Sequence, residues 1–276
     1  VESEIRAFAG KIQGLEVGRS ERVDNNQKEH LMSTEMTENP EIQRETPTKS
    51  SLSRIIGVFL SPKETFEDIN RKPDWLIPAI LIVLVTLAAT FVFMSHADMG
   101  DLINQQLEKQ GKPPLPAEAL EKALPITTVF TYGAIIVGVP ISFLLVAGIL
   151  YMVFSFVLGA ETTYKKVFCA NIYASMISLL KSLLAIPILF VKQPTEFGNP
   201  ADVVQSNLGI LFDPASKALH ALGKSLDVFT IWYLIVLAIG MVGVSKGLTF
   251  KNAMITLGAL FAIIVVCTVG WMAFRG

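Results

Sequence analysis

The chain has 276 residues, of which 51% are hydrophobic and 17% charged, with a mean hydropathy of +0.51 and a formal net charge of −1. So small a net charge, with no basic stripe interleaved with aromatics, argues against a nucleic-acid partner. His30, His96 and His220 are scattered without ligand spacing, and Cys169 and Cys267 fall inside apolar runs, so no metal site, disulfide or cofactor is expected.

Residues 1–50 are polar, rich in Glu, Asn, Gln, Thr and Arg, and too poor in large apolar groups to offset chain entropy, so they are expected to be disordered. No basic segment followed by a short apolar core marks a secretory signal, so the first span is expected to direct its own insertion. Lys28-Glu29 can be encoded by AAG-GAG, a bacterial ribosome-binding sequence suitably placed before Met32. Residues 1–31 are therefore expected to be upstream translation, with the natural start at Met32.

Residues 51–72 read as interfacial amphipathic helices. Leu52, Ile55, Ile56, Val58, Phe59 and Leu60 surround Arg54 and are too few to span. Ser61-Pro62-Lys63-Glu64 then reads as an N-cap, a proline at the first helical position and a capping-box glutamate. Phe66 and Ile69 follow on one face. This stretch is expected to lie along the interface as a ramp, either packing on the bundle or docking a protein partner.

Residues 73–274 form the membrane domain, expected to be an all-α bundle of five transmembrane helices. The first span covers about residues 74–94; it holds 19 uncharged positions from Leu76 to Met94, enough to cross a hydrocarbon layer about 30 Å thick. Four prolines break residues 95–125 into a loop with short helices at most. Residues 126–160 are uncharged and would extend about 52 Å as helix, so one long span kinked at Pro140 is expected. The third span, about 167–191, follows the short turn 161–166. Ala170, Ala174, Ser178 and Ser182 recur there every four residues, a stripe that lets another helix approach closely within the bundle or in a homo-oligomer. Lys181 lies deep in this run, where an ammonium must snorkel or find a partner, and Asp227 at the start of the fourth span is a candidate. The fourth and fifth spans cover about 228–245 and 253–274.

Alternate compartments hold 15 and 7 Lys and Arg outside the spans, the larger number accompanying the N-terminus. The positive-inside rule then predicts a cytoplasmic N-terminus and an external C-terminus. Basic residues in the cytoplasmic turns, Lys165, Lys166, Lys246 and Lys251, are suited to anionic lipid head groups.

The stretch 61–78, carrying Pro62, Phe66, Ile69, Pro73 and Pro78, resembles the entry motif of bacterial members of the Yip (Ypt/Rab-interacting protein) domain family. Gly159-Ala160-Glu161 with Tyr164-Lys165, and Leu226 to Trp232 including Asp227, agree with it. The resemblance covers about residues 52–274 and implies a five-span integral membrane protein, here of a bacterial inner membrane. Eukaryotic relatives bind prenylated small GTPases in vesicle traffic. This chain has Asp74-Trp75-Leu76-Ile77-Pro78 where that branch carries Asp-Leu-Tyr-Gly-Pro, so GTPase binding is not carried over.

The expected function is a non-catalytic membrane interaction or organisation protein. The alternative is a small-solute transporter with a site near Lys181, against which stands the lack of paired broken helices in matching halves. No His-Glu-x-x-His, Gly-x-Ser-x-Gly or paired intramembrane aspartates support an enzyme.

Overall fold

The structure, a computed structural model, describes residues 48–191, 202–213 and 216–274, apart from the side chain of Lys109. The expectations of a disordered leader and of a start at Met32 fall on residues 1–47 and lie outside the described residues. Everything described belongs to one compact unit, Thr48–Gly276.

The fold is all-α. Two short helices, α1 (Ser51–Leu60) and α2 (Pro62–Arg71), precede α3 (Leu76–His96). Helix α4 (Met99–Lys109) leads to α5 (Ala117–Gly133), which runs through a π turn into α6 (Val139–Tyr151). Helices α7 (Tyr164–Ala174) and α8 (Met176–Leu189) form one membrane-length segment. A second π stretch, Met152–Val157, follows α6, a 3-10 turn spans Leu208–Leu211, and helices α9 (Lys217–Ser225), α10 (Val228–Gly243) and α11 (Phe250–Phe274) complete the described elements. Four helical segments are long and apolar enough to cross a membrane: Leu76–His96, Ala117–Val157, Tyr164–Leu189 and Phe250–Phe274. The fifth, α10, has only 16 residues, about 24 Å of helix.

The second segment differs most from the sequence reading. Its helix starts just after Pro116 rather than at Ile126, runs through Pro125, and continues for 41 residues. A π turn at Ala134–Gly138 immediately precedes Pro140. Such a turn takes up the register change needed when a proline removes one N–H and its ring crowds the preceding turn. Gly159, with φ of 67°, closes the segment, and the Ala160 N–H returns to the Phe154 carbonyl at 2.9 Å.

The third segment is the centre of the bundle: 44% of its apolar window is buried, against 11% for the second segment and for Phe250–Phe274. Helices α3, α6 and α10 pack on it, and α11 leans on α10 and α9. Lipid tails are as apolar as leucine, so close packing rather than water exclusion must hold such helices together. Small residues serve this need: Ala170, Ala174, Ala238 and Ala253 are fully buried in the main cluster with Phe66, Ile69, Phe154 and Met241.

The pair α1–α2 packs into this cluster, with Val58, Phe66 and Ile69 wholly buried. Phe66 rests on Gly240 and Gly243, near the end of α10. Phe59 reaches Trp232, edge to face at 6.0 Å between centroids, ~12 Å nearer the start of α10. Phe66 and Ile69 are therefore sealed, with no exposed surface, and are unavailable for docking. The expected capping box is also replaced: Ser61 makes no side-chain cap bond, and Glu64 faces Lys49 at 3.5 Å.

Candidate functional site

Three polar constellations stand out against the apolar bundle. The first fastens the hairpin α1–α2. Ser50 caps α1 by accepting the Ser53 N–H, and one turn later Arg54 points inward, 1% exposed. Its Nε donates to Asp68 Oδ2 at 2.8 Å, while Nη1 donates to the Lys72 carbonyl at 2.8 Å and to Asp74. Asp68 is wholly buried and also accepts from the Arg71 guanidinium and the Lys49 backbone N–H. Asp74 in turn accepts from Ser51 Oγ at 2.5 Å and from the Tyr173 hydroxyl at 2.9 Å. One guanidinium thus ties α1, α2, the entry to α3 and the central α7.

The electrostatics follow from the donors. Burial disfavours the Asp74 carboxylate, but Ser51, Tyr173 and Arg54 outweigh it and hold Asp74 below the ordinary range. Burial likewise disfavours the Arg54 cation, and Asp68 with Asp74 outweigh that and raise it. Both groups stay ionised at neutral pH.

The second constellation lies at the opposite end of α10. Asp227 is its N-cap, with Oδ1 accepting from the Phe229 and Thr230 N–H groups at 2.9 and 3.2 Å. Oδ2 accepts from Lys181 Nζ at 2.7 Å and from Ser206 Oγ at 2.5 Å. Here again burial would raise the carboxylate, and Lys181 and Ser206 outweigh it to keep Asp227 low. Lys181 therefore carries no free charge. The segment before α10 folds back on it, with Val228 N–H donating to the Ser206 carbonyl at 3.0 Å.

The third joins the two short turns. Glu161 and Lys246 exchange backbone hydrogen bonds at 3.1 and 3.0 Å, an isolated antiparallel bridge, and Thr162 Oγ1 donates to the Val244 carbonyl at 2.8 Å. Gly247, with φ of 76°, lets the chain leave the bridge towards α11. Lys165, Lys246 and Lys251 are exposed and Lys166 is half-buried, all at the hairpin end of the bundle.

The other sequence candidates divide between structure and surface. Pro62 opens α2, Pro73 sits in the link to α3, and Pro78 is buried in the first turn of α3. Ala170 and Ala174 are buried, whereas Ser178 and Ser182 line a cavity. Sequence reasoning missed Asp68, Asp74 and Tyr173. A lone Arg54 in an apolar run was the available signal, but four carboxylates follow it, Glu64, Glu67, Asp68 and Asp74, and the sequence does not single out two of them.

This architecture defines a polytopic helical membrane protein whose entry motif is built into its core. The Yip1 domain model matches residues 56–272, and the chain belongs to the Yip1 domain family. It is similar to membrane protein YknW of Bacillus subtilis (strain 168), with 28% identity over 225 residues, covering 82% of this chain and 92% of that protein. No solved structure matches the chain.

Proposed function

We propose that the protein is a non-catalytic membrane-organising protein of a bacterial cytoplasmic membrane, engaging anionic lipid head groups at its hairpin end. The observation that carries this reading is the Glu161–Lys246 bridge, which unites two basic turns distant in sequence into one surface. Lys63, Arg71 and Lys72 are exposed on or beside the hairpin at the same end. Juxtamembrane lysines gain from the negative potential of a cytoplasmic leaflet. The charge bias supports that orientation, with the N-terminus inside and the C-terminus outside. A protein partner would have to use the outer surface of the hairpin, because Phe66 and Ile69 are enclosed. Transport centred on Lys181 is the weaker reading, since that ammonium is held by Asp227.

The test is the lipid retained on gentle purification from membranes containing phosphatidylglycerol and phosphatidylethanolamine. Wild type is expected to keep phosphatidylglycerol preferentially. The quadruple variant Lys165→Gln/Lys166→Gln/Lys246→Gln/Lys251→Gln should lose about tenfold of that preference. Equal retention by both proteins would overturn the proposal.

A further inference from the structure

A cavity of about 240 Å³ lies between α3, α8 and α10, with Phe143 of α6 as an apolar wall. Its polar lining comes from three helices: Thr86 of α3, Ser175, Ser178 and Ser182 at or on α8, and Tyr233 of α10. A neighbouring groove of about 230 Å³, running past Trp75, Phe143 and Phe168, has no comparable hydroxyls. The concentration of hydroxyl groups is therefore local to one cavity.

Two of the lining hydroxyls, those of half-buried Thr86 and exposed Ser178, have no protein partner among the described residues, and a third lining group, Tyr233, meets the buried Asn171 behind the wall. Ser175 Oγ donates to the Asn171 carbonyl, and the Tyr233 hydroxyl donates to Asn171 Oδ1 at 2.7 Å. Asn171 is 1% exposed, and its Nδ2 has no hydrogen-bond partner among the described residues. Inside a membrane, hydrocarbon cannot supply the missing bonds, so each unpaired lining hydroxyl favours a hydroxylic occupant. The volume is ample for several waters, each needing two to four polar partners. No lining residue carries a formal charge, and the ammonium of Lys181, next to Ser182 in sequence, is bound to Asp227. An ion would leave water without a counter-charge; a neutral molecule would not.

We infer that this cavity is a polar site within the membrane for small uncharged hydroxylic molecules, water included. Its occupant completes the hydrogen bonds of Thr86, Ser178 and Tyr233. The inference concerns a face of the bundle remote from the basic turns and stands independently of lipid binding there.

The test uses cysteine reactivity in proteoliposomes, in a Cys267→Ser background that leaves the buried Cys169 as a measured blank. Ser178→Cys and Thr86→Cys, on different helices, report the cavity, and Leu183→Cys, an exposed apolar position on α8, reports the lipid face. The probes are 2-hydroxyethyl methanethiosulfonate and its trimethylammonium analogue, each normalised to a free thiol. Thiolate chemistry requires a polar surrounding, so the cavity cysteines should react with the hydroxyethyl reagent at least about tenfold faster than Leu183→Cys. The cationic reagent should be at least about tenfold slower at the same cavity positions, because it must shed water with no counter-charge. Rates at both cavity positions no faster than at Leu183→Cys would show a dry cavity and overturn the inference. Equal rates with the cationic reagent would overturn its neutral character.

Discussion

Arg54 is surrounded in sequence by apolar residues, and its burial is tolerable only because two carboxylates and two carbonyls receive its N–H groups. Removing it would leave Asp68, which has no exposed surface, with only the half-exposed Arg71 guanidinium and the Lys49 N–H. Arg54→Met is expected to destabilise the protein by about 3–5 kcal/mol, read from unfolding in mild detergent. Arg54→Lys should recover only part of this, since one ammonium cannot reproduce the fork that serves Asp68, Lys72 and Asp74 together. A loss too small to measure for Arg54→Met would mean that the hairpin is held by packing alone. Residue-level legibility was uneven for a physical reason. Lys181 and Asp227 are conspicuous because a charge in or beside an apolar run demands an explanation. Asp68 and Asp74 sit among other polar residues, and nothing before folding shows that the hairpin will turn them towards Arg54.

At the level of elements, the hairpin α1–α2 is built into the main cluster through Val58, Phe66 and Ile69. Its pattern suits an interfacial helix, and such a helix can meet lipid on one side and the bundle on another. Leu52, Ile56 and Leu60 are exposed on one side of α1, while Val58 is buried on another. Periodicity cannot separate lipid from protein when both are apolar, so which apolar residues of α1 meet the bundle was not legible. The close approach of Phe66 to α10 is what makes this packing possible. A Cβ at position 243 would come within 2.7 Å of the Phe66 Cβ, and one at 240 within 3.0 Å of its ring. Gly243→Ala should therefore cost about 1–3 kcal/mol through overpacking, whereas Gly258→Ala, which meets nothing within 4 Å, should not destabilise. Equal stability of the two variants in detergent unfolding would contradict this packing. The long second segment teaches a related lesson. Pro140 signalled a disturbance, and the chain resolved it with a π turn that sequence pattern does not encode as such.

For the whole molecule, class and family were legible early, because long uncharged runs exclude a water-soluble fold and the entry motif has its own punctuation. The grouping of surfaces was not. Residues 161 and 246 are far apart in sequence, and only the packing of α7 beside α10 brings their turns into a single bridged end. That end holds the basic turns, and the other holds Asp227 with the segment that folds back on it. The proposed lipid-binding role requires the first end to face the anionic cytoplasmic leaflet. The most direct measurement is labelling of single cysteines in intact cells with a membrane-impermeant maleimide, again in the Cys267→Ser background. Lys224→Cys, on α9, should label in intact cells, and Lys165→Cys should label only after the membrane is permeabilised. Labelling of Lys165→Cys in intact cells, with Lys224→Cys protected, would reverse the orientation and contradict the account.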